Sequence, residues 1–391
     1  MMREITNHDT ILHYQQVRKT SEQICHFLKR EDYVIQPVED VSPPKWHLGH
    51  TTWFFETFLL KPYSTDYKEF DPTYNYVFNS YYESIGARVI RTDRGNLSRP
   101  TVEDIYRYRL YVDEAMMRFM RNNDPFTWIF DLIILGINHE QQHQELLYTD
   151  IKYILGHNPL FPAYRVDYPL NIPTQDPREE MILVKEGIYE IGYQGNGFCW
   201  DNELARHKVY LAAFEISDTL VTNGEYLEFM EDGGYHTFSH WHAEGWDWVK
   251  KQQINAPLYW HWVDAQWMNY TFRGLEPVRK EEAVCHISYF EAYAFAAWKG
   301  MRLPTEFEWE VASPQFDWGL RWEWTESAYL PYPHYSKASG ALGEYNGKFM
   351  VNQHVLRGAS EVTPVGHSRN TYRNFFQTNL RWQFTGIRLA R

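Results

Sequence analysis

Apolar residues recur at intervals of three and four through most of the first 158 residues. Such spacing is typical of amphipathic helices. It predicts four long helices, which lie in ILHYQQVRKTSEQICHFL, HLGHTTWFFETFLL, TVEDIYRYRLYVDEAMMRFM and FTWIFDLIILGINHEQQHQELLYTDIKYIL. Pro100 and Thr101 mark the start of the third helix with Ser98 as its predicted N-cap, and Gly156 marks the end of the fourth. Four helices with one long connection over residues 61–99 predict a four-helix bundle.

The pattern changes after residue 158. Residues 159–180 are rich in proline and show little periodicity, which is typical of a linker. From Met181, MILVKEGIYEIGY and HKVYLAAFEISDTLVT are short runs of β-type sequence, and SYFEAYAFAAWKG predicts a helix. The chain is therefore predicted to hold a helical domain over residues 1–158, a linker over 159–180 and an α+β domain over 181–391 with little regular secondary structure.

Composition narrows the class of partner. A chain of 391 residues is long enough for two domains. Its net charge of -13 argues against nucleic acid or an anionic membrane as a partner. Three scattered cysteines without a CxxC pair favour a reducing compartment. Because no signal peptide or apolar run of membrane-spanning length is visible, we expect a cytoplasmic protein.

Three histidines carry the candidate chemistry. His139 and His143 are four residues apart, so on a helix they share one face and can hold one metal ion. His50 lies on a different predicted helix and can complete the set, although His47, three residues earlier, is an alternative ligand. Three protein ligands leave coordination positions open, which favours catalysis over a structural role. Taken alone, a histidine pair at this spacing is more often structural or solvated.

The wider pattern resembles the ergothioneine-type sulfoxide synthases. The resemblance covers nearly the whole chain and rests on HLGH, on HEQQHQE as an HxxxHxE motif, and on several phrases of the second half. Those phrases are VTNGEYLEFMEDGGY, HISYFEAYAFAAWKGMRLPTEFEWEVAS, RWEWTESAY and RWQFTGIRLAR. The resemblance implies a DinB-like four-helix bundle followed by a C-type-lectin-like domain of the formylglycine-generating-enzyme type, which completes the active site.

The family also implies a reaction and a cofactor. Its members hold one non-haem Fe(II) on three histidines, which by motif position are His50, His139 and His143 here. The implied reaction is oxygen-dependent formation of a C–S bond between a thiol, here cysteine, and C2 of the imidazole of hercynine. The sulfur of the product is oxidised to a sulfoxide. The substrates are therefore expected to be hercynine, cysteine and O2.

The resemblance also implies substrate contacts. Gln142 stands where the family hydrogen-bonds the hercynine imidazole. Asn374, Phe375 and Phe376 match an Asn-aromatic segment near the trimethylammonium and carboxylate groups. An aromatic wall suits a permanent cation. Without the resemblance, Phe375 and Phe376 would be interpreted as core residues.

The long connection of the bundle supplies further candidates. Tyr81 and Tyr82 resemble the paired tyrosines of the cysteine-using subgroup, in which a phenol donates a proton or hydrogen atom near the iron. Four arginines follow and could bind the carboxylate of the thiol substrate. Arg88 and Arg91 are taken as the candidates from a set that also contains Arg94 and Arg99, and the sequence does not choose firmly among them.

Departures from related families limit the alternatives. The stretch GHSRNTYRNFF contains no cysteine where formylglycine-generating enzymes use a cysteine pair, so that thiol chemistry is excluded. Phe376 replaces an acidic residue found in synthases that prefer γ-glutamylcysteine, which favours free cysteine. The same chemistry with γ-glutamylcysteine, with histidine as in ovothiol synthesis, or with a selenium donor remains open. Two different classes also remain: a non-redox zinc-dependent thiol transferase and a non-catalytic binding module.

Overall fold

The structure is a computed structural model, and it describes residues 7–80, 82, 85–122, 128–169, 180–337, 343 and 346–391. The described residues divide into two compact units. The first runs to Val166 and includes Gly343, and the second comprises the other described residues from Asp167 to Arg391. The division lies inside the predicted linker, whose bounds stay a prediction.

The first unit contains the four predicted long helices as a helical bundle. In the described residues of this unit the α-helices are α1 (Asn7–Cys25), α2 (Pro44–Phe55), α3 (Lys61–Tyr63), α4 (Tyr74–Phe78), α5 (Val102–Asn122) and α6 (Trp128–Gly156). Short 3-10 helices cover Arg30–Val34 and Arg91–Asn96. Across the part of the chain that the structure describes, none of the helices is both long and apolar enough to cross a membrane.

Helix α2 is the central helix of the bundle, because all twelve of its residues are buried. It begins at Pro44, whose missing N–H costs nothing at a first helical position. The hydrophobic pattern predicted one helix through Leu60, but the helix continues as a π-helical turn over Glu56–Leu60. That turn places the buried Glu56 carboxylate where it accepts hydrogen bonds from Tyr67, Tyr108 and the Phe70 N–H.

Helix α5 begins one turn later than the predicted cap implies. The hydroxyl of Thr101 accepts a hydrogen bond from the Asp104 N–H at 3.1 Å, and the Asp104 carboxylate accepts one from the Thr101 N–H at 2.9 Å. This reciprocal pair is a capping box. The prediction of Ser98 as N-cap was wrong, because the capping residue is Thr101, directly before Val102.

A buried carboxylate joins three helices of the bundle. Glu140 of α6 accepts hydrogen bonds from Arg18 and Ser21 of α1 at 2.8 and 2.7 Å, and from Arg109 of α5 at 3.0 Å. Arg109 also donates to the Leu48 carbonyl of α2. Burial alone would raise the pKa of Glu140, but the two guanidinium groups outweigh it and lower that pKa to about 2. Glu140 is therefore ionised and fully paired.

The second unit combines short strands and helices. Its described α-helices are α7 (Asn223–Glu231), α8 (Ala243–Gln252), α9 (Tyr289–Trp298) and α10 (Glu306–Ala312). The strands are β1 (Met181–Val184), β2 (Gly187–Ile191), β3 (His207–Leu211), β4 (Phe214–Ser217), β5 (Trp260–Val263), β6 (Gln266–Thr271), β7 (Gly274–Pro277), β8 (Trp322–Ala328), β9 (Gln353–Gly358), β10 (Asn374–Gln377) and β11 (Thr385–Gly386). They form small sheets in the orders β1-β4, β2-β3, β5-β6-β7 and β10-β9-β8-β11. Only the β11–β8 pair of these sheets is parallel.

The RLPTEFEWE motif forms the charged core of the second unit. Glu306 accepts hydrogen bonds from Arg373 at 2.8 and 2.9 Å and from Arg357 at 3.0 Å. The Trp309 indole donates to the buried Glu323 at 2.6 Å. These buried carboxylates are held by groups from other elements, so the motif stabilises the fold of this unit.

We expect Glu140→Gln to destabilise the protein by about 3–5 kcal/mol, because it leaves two buried guanidinium groups without their counter-charge. The free energy of unfolding, measured by urea titration, checks this. Glu103→Gln is the matched control, since Glu103 pairs with Arg30 on the exposed surface, and it should cost less than about 1 kcal/mol. Equal losses in the two variants would contradict the anchoring role of Glu140.

Candidate metal centre

Three buried histidines converge inside the bundle. His50 of α2 and His139 and His143 of α6 are 1, 2 and 7 % exposed. One ring nitrogen from each lies within 4.8 Å of the others, and the Nε2 atoms of His50 and His139 are 3.2 Å apart. Two nitrogens bound to one ion at right angles, each about 2.1 Å from it, would be about 3 Å apart. The spacing therefore fits ligands of a single metal ion.

A glycine next to His50 fixes the orientation of that ligand. The Phe78 ring occupies the space where a Cβ on Gly49 would lie, at 2.2 Å. This close approach brings the Phe78 carbonyl within 2.6 Å of the His50 Nδ1. Because a carbonyl only accepts, the His50 proton sits on Nδ1 and Nε2 keeps its lone pair. The glycine of HLGH thus prepares His50 to bind a cation.

Aromatic rings surround the histidines. Trp46 stacks on His50 at 4.6 Å with a 10° interplanar angle, and Trp53 stacks on it at 5.6 Å. Phe54 lies 4.8 Å from His139. These rings exclude water from the backs of the imidazoles and limit their rotation. The centre is a pocket of nitrogen donors in an apolar wall.

Burial keeps the three imidazoles neutral. Burial is the main reason why the pKa of His50 and the pKa of His143 lie well below the usual value for histidine. Charges on neighbouring histidines lower both pKa values further. Burial likewise lowers the pKa of His139 to about 4, although the Glu140 carboxylate opposes it. A neutral imidazole is the form that binds metal. Three neutral nitrogen donors fit divalent iron or zinc.

Residues 139–143 have the letters of the HExxH pattern, in which the glutamate acts as general base of a zinc peptidase. Sequence reasoning overlooked this match. In the structure Glu140 is not available as a base, because its carboxylate accepts hydrogen bonds from Arg18, Arg109 and Ser21. A fully paired carboxylate with a pKa of about 2 is a poor base. The geometry therefore argues against peptidase chemistry.

The structure separates His47 from His50. His50 belongs to the converging group, whereas His47 does not. The His47 Nδ1 lies 2.8 Å from the His143 Nδ1, and its Nε2 lies 2.9 Å from the Asp150 carboxylate. Asp150 was missed by sequence reasoning, although it lies seven residues after His143 on the same helix face.

Only one of the paired tyrosines can be placed. Tyr81 lies outside the described residues. Tyr82 is buried, and its ring packs against Trp53 at 5.6 Å and Phe58 at 4.9 Å. Asn79 holds the segment through hydrogen bonds to the N–H and carbonyl of Tyr82. Tyr82 is thus one aromatic layer away from His50, since Trp53 contacts both rings.

The arginines that follow the tyrosines differ in their contacts. Arg91 donates to the Asp40 carbonyl at 2.7 Å, and Arg88 is half-buried. The guanidinium of Arg94 instead lies 3.4 Å above the Trp46 ring, on the residue that stacks against His50. Arg94 is therefore linked to the histidine group through Trp46, and the sequence contained no signal that would select it.

Gln142 is half-buried on α6, directly before His143. In the second unit, the Asn374 side chain accepts a hydrogen bond from the Phe375 N–H at 2.9 Å. Phe375 stacks on Tyr329 at 4.1 Å, and Phe376 lies 6.1 Å from Trp382. The partly exposed Phe375 is an aromatic surface of the kind that binds organic cations.

The fold and the histidine group define a class: a DinB-type bundle with a three-histidine centre, joined to a domain of the sulfatase-modifying type. Residues 13–147 match the DinB superfamily, and residues 169–319 match the sulfatase-modifying factor enzyme 1-like domain. These are the two domains that the ergothioneine-type sulfoxide synthases combine, and the similarity to such proteins covers most of the chain.

Curated relatives match either most of the chain or part of it. A hercynine oxygenase of Mycolicibacterium smegmatis is 27% identical over 408 aligned residues, which cover 90% of this chain and 91% of that protein. A hercynine oxygenase of Mycobacterium tuberculosis is 29% identical over 71% of this chain and 74% of its own length. A formylglycine-generating enzyme of Thermomonospora curvata is 27% identical over 40% of this chain and 58% of its own length.

Replacement of His139 should flatten the acid limb of the stability curve of the metal-free protein. The folded pKa of about 4 lies below the reference value of 6.5, so the unfolded chain binds the extra proton first as the pH falls. His139 therefore costs stability progressively from pH 6.5 down to pH 4. In His139→Gln, urea unfolding in the presence of a chelator should show a slope smaller by up to one proton over this window.

The exposed His26 supplies the control, because His26→Gln removes a histidine of the same unit from the surface. Its slope between pH 6.5 and pH 4 should match that of the unsubstituted protein. An unchanged slope in His139→Gln as well would show that His139 titrates normally and that the centre is not dry.

Proposed function

We propose that the protein is an iron(II)- and oxygen-dependent sulfoxide synthase that joins cysteine to hercynine. A C–S bond replaces the hercynine C2–H and the cysteine S–H bonds. One oxygen atom of O2 becomes the sulfoxide oxygen, and the other leaves as water with the two hydrogens. The four electrons that O2 takes up come from the two substrates, so the reaction needs no further reductant.

The observation that carries this proposal is the convergence of His50, His139 and His143 in a chain with the two domains of this family. The similarity to proteins named hercynine oxygenase supports the choice of hercynine. Iron(II), when bound by the three histidines, supplies the redox chemistry of oxygen activation and open positions for the substrates.

The histidines favour an anionic sulfur ligand. Three neutral imidazoles bring no negative charge to the centre, so the positive charge of a bound ion is not compensated by the protein. A cysteine thiolate is therefore attracted electrostatically in a wall of low polarity. Glu140, the carboxylate next to His139 in sequence, is neutralised by two arginines and does not compete.

The other chemical roles rest on the resemblance to the family. Gln142 is proposed to hold the hercynine imidazole, and Phe375 with Asn374 and Phe376 to bind its cationic end. Arg88 and Arg91 stay the predicted partners of the cysteine carboxylate. Free cysteine is proposed over γ-glutamylcysteine because Phe376 replaces an acidic residue.

The first test is anaerobic loading with Fe(II), followed by O2 in the presence of hercynine and cysteine, with products identified by mass spectrometry. We expect an S-linked hercynyl-cysteine sulfoxide, with the product lost by at least about 100-fold in His139→Ala. Consumption of O2 without this product would indicate a different substrate pair, with γ-glutamylcysteine or a selenium compound as the donor, or with histidine as the acceptor. C–S transfer by the zinc-loaded protein without O2 would overturn the redox mechanism.

Tyr82 is proposed as the phenol that donates a proton or hydrogen atom near the centre, with Tyr81 as its alternative. Tyr82→Phe should keep iron affinity and substrate binding while lowering kcat for sulfoxide by about 100-fold, the range of general acid catalysis. Tyr81→Phe is the matched control, since it removes the neighbouring hydroxyl. Full activity in Tyr82→Phe with loss in Tyr81→Phe would exchange the two roles.

A further inference from the structure

A chain of buried polar groups extends from His143 away from the histidine group. The His143 Nδ1 lies 2.8 Å from the His47 Nδ1. The His47 Nε2 lies 2.9 Å from the Asp150 Oδ2, which also accepts the Ser42 N–H at 2.8 Å. His47, His143 and Asp150 are all less than a tenth exposed. A buried chain of this kind has few ways to place its protons.

The carboxylate determines the first of those positions. Asp150 only accepts hydrogen bonds, so the His47 Nε2 that faces it carries a hydrogen. A neutral His47 then has a bare Nδ1, which accepts a hydrogen bond from the Nδ1–H of His143. With its hydrogen on Nδ1, His143 keeps the lone pair on Nε2.

The reverse arrangement would disable the ligand. If His47 donated from Nδ1, the His143 Nδ1 would have to accept, and the hydrogen of neutral His143 would lie on Nε2. A ring nitrogen that carries a hydrogen has no lone pair for a metal ion. The direction of the 2.8 Å bond therefore decides whether His143 can complete the three-nitrogen set.

We propose that His47 and Asp150 are positioning residues that hold His143 in the Nδ1–H tautomer and so expose its Nε2 to the metal. This inference rests on the proposed function, because it takes His143 as a metal ligand. It assigns a role to His47, which by sequence alone competed with His50 as a ligand.

The two helices are arranged for such a chain. His47 and His50 lie three residues apart on α2, so one face of that helix contributes one member to the chain and one to the histidine group. Asp150 lies two turns after His143 on α6. The backbone of Ser42, just before α2 begins, holds the carboxylate oxygen that faces His47. His50 needs no such chain, because the Phe78 carbonyl fixes its tautomer directly.

The matched variants are His47→Phe and His47→Gln. Phenylalanine keeps an aromatic ring but removes the acceptor, whereas glutamine can accept from His143 through its oxygen and donate to Asp150 through its nitrogen. Affinity for Zn²⁺ and, under anaerobic conditions, for Fe²⁺ is measured by chelator competition, with no substrate present. We expect about a 10–100-fold loss in His47→Phe, and a much smaller loss in His47→Gln.

A thermodynamic cycle tests whether the two residues act as one unit. Asp150→Ala should weaken Zn²⁺ binding as His47→Phe does, and the double variant should be no weaker than either single variant. Additive losses would contradict the chain. A merely structural role would lower the melting temperature of the metal-free protein without changing the affinity ratio between the phenylalanine and glutamine variants.

The tautomer of His143 can also be measured directly, without any substitution of His47. Long-range ¹H–¹⁵N spectra of the metal-free protein should show His143, assigned by its disappearance in His143→Gln, with hydrogen on Nδ1. Hydrogen on Nε2 would overturn the proposal. If instead the tautomer is as expected but Zn²⁺ and Fe²⁺ bind equally well in His139→Ala, the metal role proposed for the histidines fails and the tautomer assignment stands.

Discussion

The bundle depends on one buried ion cluster, the Glu140 carboxylate between Arg18 and Arg109. An ionised carboxylate in the interior would be prohibitively costly without these partners. Its partners come from α1 and α5, so the rotation of α6 about its own axis is fixed from two sides. His139 directly precedes Glu140, and His143 lies one turn after His139. The direction in which both imidazoles point therefore follows from a contact that carries no chemistry of its own.

Two opposing effects act on the pKa of His139, and burial is the larger one. The ionised Glu140 next to it favours a charged imidazole, but the loss of water is the larger cause and lowers the pKa to about 4. Arg18 and Arg109 pair with the same carboxylate and keep it ionised. Burial thus keeps His139 in the neutral form that binds a metal ion, and the arginine pair supports the fold around it.

The sequence contained the parts of this centre that depend on spacing alone. The four-residue interval of His139 and His143 survives in α6, and the predicted four long helices are present. Spacing alone could not predict the contacts that α2 makes with the long connection between α2 and α5. The choice between His47 and His50 depends on the Phe78 carbonyl, and the link of Arg94 to Trp46 depends on the path of residues 85–99. Ser98 and Thr101 are both residue types that cap helices, and Asp104, three residues after Thr101, is the sequence signal that the prediction missed.

Two of the three proposed ligands, His50 and His143, differ in the group that holds the ring. The Phe78 carbonyl behind His50 is neutral, whereas the chain behind His143 ends at the Asp150 carboxylate. A carboxylate at the end of a hydrogen-bonded chain raises the basicity of the imidazole that donates into it. His143 is then the more electron-rich donor, although both rings are neutral. The proposed ligand set contains no carboxylate. The difference between His143 and His50 is therefore a way in which the protein can make the ligands of one ion unequal in electron donation.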